Sequence, residues 1–134
     1  MARVLWSLRP SLPPPRSLDL PLLRTHTAAM LGALRCAGWD VGVVFDSDEA
    51  VRELNRTYRG VDRPTDVLSF PFHDALAQPG VLPAASHDGE RNLGDIFLAW
   101  PYVQAEAARD GVEAQLKATR LVAHGVCHLA GCVR

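Results

Sequence analysis

Two histidines four residues apart, His124 and His128, stand just ahead of Gly131 near the end of a 134-residue chain. On a helix this spacing puts both rings on one face, one turn apart, as a metal pair needs. Gly131 is where such a helix would stop and the chain turn. A third ligand is expected just past that turn. The residue there is Arg134, which stays protonated and offers no lone pair.

The helix needs a sheet to lie on, and the preceding sequence reads as one. Trp39 to Phe45, Thr65 to Phe72 and Asn92 to Trp100 are strand-like runs, with Pro71 marking an edge or a strand end. Arg3 to Leu8 is a candidate edge strand. Leu18 to Ala37 reads as a helix ending at Gly38. Asp46-Ser47-Asp48-Glu49 is a strong helix start: Ser47 can cap, and the acids suit the positive end of the helix. That helix runs to about Tyr58, with Val51, Leu54 and Tyr58 on one stripe. Pro101 suits the first turn of a helix to Asp110, and Gly111 ends it. Val112 to Ala130 is the last helix. His73 to Arg91 reads as a long surface loop. The order is βαβαββαα, an α+β class with a small mixed sheet, packed helices, and the histidines on the last helix.

Composition narrows the classes. A length of 134 residues suits one domain, and a net charge of -1 gives no global pull toward nucleic acid, so any basic surface must be local. Cys36, Cys127 and Cys132 make no even disulfide framework, which suits a reducing interior. No apolar run approaches a membrane span, so no membrane partner is expected. Residues 1–39 carry Arg3, Arg9, Arg16, Arg24 and Arg35 against one acid, Asp19. Such a start has two readings: a strand and helix of the domain, or a mitochondrial presequence. Pro13-Pro14-Pro15 argues against one continuous amphipathic helix there.

His124 and His128 are the candidate metal ligands. Cys127 lies on another face and reads as a small core residue, and Cys132 is a weaker thiolate candidate. Zinc proteases place a general-base glutamate directly after the first histidine. Here that position is Gly125, which disfavours peptide hydrolysis. Arg59 and Arg63 flank a glycine turn, and guanidinium groups suit phosphate oxygens. Asp66 and Asp95 fall in strands and call for structural hydrogen bonds. His26, His73 and His87 read as ordinary polar positions.

Four stretches together resemble the YbeY family of metal-dependent endoribonucleases: Leu54-Asn55-Arg56-Thr57-Tyr58-Arg59-Gly60, Pro64-Thr65-Asp66-Val67-Leu68-Ser69-Phe70-Pro71-Phe72, Asn92-Leu93-Gly94-Asp95-Ile96 and His124-Gly125-Val126-Cys127-His128-Leu129-Ala130-Gly131. The likeness covers residues 40–134, and residues 1–39 match poorly. It implies an RNase that cuts single-stranded RNA in ribosomal RNA maturation and ribosome quality control, with the ribosomal small subunit or its proteins as partners. The compartment implied is the mitochondrion, with the cytoplasm as the alternative. It also implies one zinc ion held by three histidines, of which His124 and His128 match the first two and Arg134 stands at the third. The family's essential arginine falls on Arg59. The family pattern continues past the third histidine, so this chain resembles a truncated or alternatively spliced form with impaired chemistry. The alternatives are a non-catalytic RNA- or ribosome-binding module and, more remotely, a metalloprotease.

Overall fold

The computed structural model describes residues 4–8, 18–36, 38–71 and 92–131. The elements run β1 (Val4–Leu8), α1 (Leu20–Ala33), β2 (Asp40–Asp46), α2 (Asp48–Arg59), β3 (Val67–Pro71), β4 (Asn92–Ala99), α3 (Trp100–Asp110) and α4 (Ala114–Leu129). The four strands form one sheet in the order β1-β2-β4-β3. β2 runs parallel to β1 and β4, and β3 runs antiparallel to β4. This is a mixed α+β fold. The segment from His73 to Arg91 lies outside the described residues, as do Cys132 and Arg134.

Two apolar clusters divide the sheet's faces. Val41, Val43 and Phe45 of β2 and Ile96 and Leu98 of β4 pack with Leu23 and Leu31 of α1 and with Val122, Val126 and Leu129 of α4. Leu68 of β3 and Ala99 of β4 turn the other way, toward Val51 of α2. Each such fully buried aliphatic side chain stabilises the fold by about 1.5–3 kcal/mol relative to exposure. The starts of α1 and α4 are tied together by Gln115, which accepts from the Asp19 backbone N–H at 2.7 Å and donates to the Asp19 carbonyl at 3.2 Å.

One irregularity sets the phase of the central strand. Asp40 faces Asn92, but the next residue, Val41, faces Gly94. Leu93 is therefore one extra residue on β4, a bulge of a kind rare between parallel strands. Gly94 adopts φ 141°, and a Cβ there would sit 2.1 Å from the Phe70 carbonyl oxygen. The Asn92 side chain accepts the Gly94 N–H at 3.0 Å. Side chains on a regular strand alternate, yet Leu93 and Ile96, three apart, both enter the α1/α4 cluster. Ile96 and Leu98 lie under α4 beside their β2 partners Val43 and Phe45, and the bulge is what lets Leu93 join them there.

α2 follows its sequence closely. Ser47 accepts from the Ala50 N–H at 3.1 Å, Asp48 and Glu49 occupy the first turn, and Gly60 closes the helix at φ 71°. Its stripe is shorter than expected. Val51 is buried, but Tyr58 is exposed. α1 also stops early, at Ala33 rather than near Ala37. Arg35 takes φ 60°, and the Cys36 N–H reaches back to the Leu31 carbonyl at 2.7 Å. Burial of Cys36 draws the chain inward before Gly38. α3 begins at Trp100, with no side-chain cap of its own. Asp48 of α2 serves instead, accepting the Tyr102 N–H at 3.0 Å.

Candidate functional site

α4 lies unusually close to the sheet. A Cβ on Gly125 would meet Ile96 side-chain atoms at 2.9–3.1 Å. Only a glycine allows this approach without displacement. Ala118, Val122, Val126 and Leu129 fill the rest of the buried face. His124 is thereby turned outward, and His128 sits half-buried one turn on. Gly131, at φ 78°, closes the helix.

The two rings meet. Nε2 of His124 lies 3.0 Å from Nε2 of His128. One nitrogen donates and the other accepts, so at least one of the two rings is neutral. His128 titrates below the ordinary histidine range, first because of burial and then because His124 and Arg59 place positive charge nearby. It therefore keeps a lone pair to lower pH than a free histidine. Two nitrogens on one tetrahedral zinc lie about 3.3 Å apart, from bond lengths of about 2.0–2.1 Å. The separation of the pair is close to that spacing. Among the described residues no group of three or more His, Cys, Asp or Glu gathers around them.

Arg59 faces the pair across a cleft of about 360 Å³. It is the last residue of α2. The turn beyond it is held by three bonds: Gly60 N–H to the Arg56 carbonyl, Val61 N–H to the Asn55 carbonyl, and the buried Asn55 Nδ2 to the Arg63 carbonyl at 3.0 Å. Among the described residues, no carboxylate pairs with Arg59, whereas Arg52 pairs with Asp62 and Arg56 with Glu53. β3 forms the wall between, with Ser69 and Pro71 toward the cleft and Val67, Leu68 and Leu129 completing its lining. The cleft thus joins two imidazoles, a hydroxyl and an unneutralised guanidinium, a set suited to an oxyanion beside a cation.

The other candidates fall elsewhere. Arg63 does not line the cleft, and neither does Cys127, which is partly buried on α4. His26 is exposed on α1. The Asp66 carboxyl hydrogen-bonds to Glu106 and helps burial push the Glu106 pKa up, against Lys117 and Arg109. Among the described residues, Asp95 shows none of the expected structural hydrogen bonding. Its carboxyl lies over Gly42, where a Cβ would sit 2.2 Å from its Oδ1. No side chain rises from Gly42 to donate to it, and burial pushes its pKa up. Ser69 was not singled out by the sequence; only its alternation with Leu68 and Phe70 in a strand could have marked it.

A mixed α+β domain that brings a histidine pair and a free arginine to one cleft defines the class. The family model described as Endoribonuclease YbeY matches residues 22–132. The chain belongs to that family, and the match reaches back into α1, further than the quoted motifs. Proteins named Endoribonuclease YbeY resemble it in Novosphingobium aromaticivorans (46% identity over 68% of this chain and 53% of that protein), Sulfurihydrogenibium sp. (32% over 87% and 70%) and Roseiflexus castenholzii (42% over 85% and 69%). The chain thus spans about half to 70% of the length of these relatives. The solution structure of TM1509 from Thermotoga maritima is similar too, with 26% identity, a TM-score of 0.59, and coverage of 98% of this chain and 73% of that one.

Proposed function

We propose that this chain is built for metal-assisted endonucleolytic cleavage of single-stranded RNA, in ribosomal RNA processing. The observation that carries this reading is Arg59, with no carboxylate partner among the described residues, facing His124 and His128 across one cleft. His124 and His128 would hold zinc through their Nε2 atoms. When bound, zinc supplies Lewis acidity and a water acidified toward neutral pH. Arg59 would grip the non-bridging phosphate oxygens and offset the charge that builds on them. The low titration range of His128 keeps its nitrogen available as a donor. Ser69 stands beside them as a hydrogen-bond donor to the same phosphate.

The described residues offer two donors, so we propose that the 134-residue chain holds zinc weakly and cleaves poorly. Calorimetric titration with zinc tests this, and sub-micromolar affinity would overturn it. A labelled unpaired RNA, incubated with zinc, tests the reaction itself. Arg59→Ala should abolish whatever cleavage the chain shows; undiminished cleavage refutes the assignment of Arg59. The contact between the two Nε2 atoms, complete without an ion, favours a second reading, a non-catalytic RNA- or ribosome-binding module. RNA binding that survives a chelator, with no cleavage, would select it. The compartment proposed is the mitochondrion, with the cytoplasm as the alternative; fractionation of cells expressing the chain distinguishes them.

A further inference from the structure

Tyr58 is 68% exposed, against 41% and 43% for Leu22 and Leu116, the other exposed large apolar side chains among the described residues. Its ring is nonetheless held. It meets Phe70 edge-on at 5.3 Å between centroids, and Phe70 meets Phe97 in the same manner at 5.5 Å. Phe70 and Phe97 are anchored in the cluster around Val51, Leu68 and Ala99. The row therefore runs from a fixed interior to a ring that stands in water, held by its neighbour and open to a ligand.

Its neighbours say what would cover it. Tyr58 directly precedes Arg59, whose side chain lines the cleft. β3 separates the two surfaces: Phe70 turns to Tyr58, while Ser69 and Pro71 on either side of it turn to the cleft. β3 is also the last strand of the sheet. A chain lying over that edge could leave a phosphate at Arg59 and a flat group on Tyr58. Arg59 and Arg63 form no ion pair among the described residues, while Arg52 and Arg56 are neutralised. Aromatic faces beside unneutralised guanidinium groups are how proteins hold unpaired nucleic acid.

We propose that Tyr58 is a stacking platform for an unpaired nucleobase adjoining the phosphate held by Arg59. This rests on the RNA reading above and deepens it by naming a residue that selects single strands. A base inside a duplex has both faces occupied and gains nothing from the ring.

The test uses the full chain and fluorescence anisotropy. The probes are an unpaired RNA of about six nucleotides, within the usual site size of single-strand binders, and an abasic ribose-phosphate chain of the same length. Tyr58→Ala should weaken RNA binding by about tenfold, Tyr58→Phe should keep it, and Tyr58→Leu, which retains an apolar contact with Phe70, should lose it as alanine does. Affinity for the abasic chain should be the same in all four proteins. Equal RNA affinity of wild type and Tyr58→Leu, with Arg59→Ala weakened, overturns the platform and leaves the cleft reading standing. A loss in Tyr58→Leu that extends to the abasic chain also overturns it. Failure of the wild type to bind either probe overturns both.

Discussion

α2 and α4 each deliver a charged or ligating side chain to the cleft from their final turns, yet they are held in place differently. α2 carries its own signals: Ser47 caps it, Asp48 and Glu49 suit its first turn, Arg56 and Arg59 suit its last, and Gly60 turns the chain out. α4 has no side-chain cap hydrogen bond at its start and no acid in its first turn. What fixes α4 is the close seat of Gly125 on Ile96, and Ile96 is in place because it pairs with Val43 of β2. The difference shows that Arg59 is positioned largely by local chemistry, and the histidines by tertiary packing two steps removed.

If that contrast is right, the largest losses should come from residues far from the histidines in sequence. Gly94→Ala should cost about 4 kcal/mol, since strain at its φ and a clash with the Phe70 backbone act together. Urea denaturation measures this, and a loss under about 1 kcal/mol would break the claim that β4 sets the seat of α4. Gly125→Val comes next, at about 2–3 kcal/mol from overpacking on Ile96. Adding Ile96→Val should recover part of it; strict additivity would show that the contact is not the cause. Ser47→Ala should cost about 1 kcal/mol by removing the α2 cap. It should leave zinc titration unchanged while Gly125→Val alters it, which sharpens the distinction between the helices.

The smallest effect concerns the charge cluster on the near half of α4, where Glu106 of α3 faces Asp66, Lys117 and Arg109, and Lys117 also meets Asp110. Burial first, then the Asp66 hydrogen bond, raises the Glu106 pKa. A raised carboxyl pKa contributes stability that is full below its unfolded value and lost as pH climbs through the folded one. Wild type should therefore gain on Glu106→Gln as pH is lowered from neutral toward the ordinary carboxylate range. Parallel melting curves for the two proteins across that range would show that the cluster does not steady α4.

What could be read from the chain follows the same division. The strands at Trp39–Phe45 and Asn92–Trp100, the Ser47 cap and the Pro101 and Gly111 boundaries depend on neighbouring residues, and the structure places elements there. The i,i+4 spacing of His124 and His128 reports a local distance, and the two rings do meet. Pairing and face are set elsewhere. The Leu93 bulge exists only against β2, so nothing in Asn92-Leu93-Gly94-Asp95 alone announces it. The exposure of Tyr58 could not be told from its stripe, because the sheet ends before it can cover the ring. Arg35 ends α1 in a conformation usually left to glycine, and the cause is the burial of its neighbour.

The supernumerary Leu93 has a bearing on which changes the protein can survive. Substitutions along β4 can be absorbed one contact at a time. Loss of a single codon between Asn92 and Ile96 would consume the spare residue and leave Ile96 opposite Val43 and Leu98 opposite Phe45, whereas the same loss between Ile96 and Ala99, where pairing is regular, has no spare residue to draw on. Length is therefore looser before Ile96 than after it, and a one-residue gap there in an alignment with a relative would keep the same faces of the sheet together.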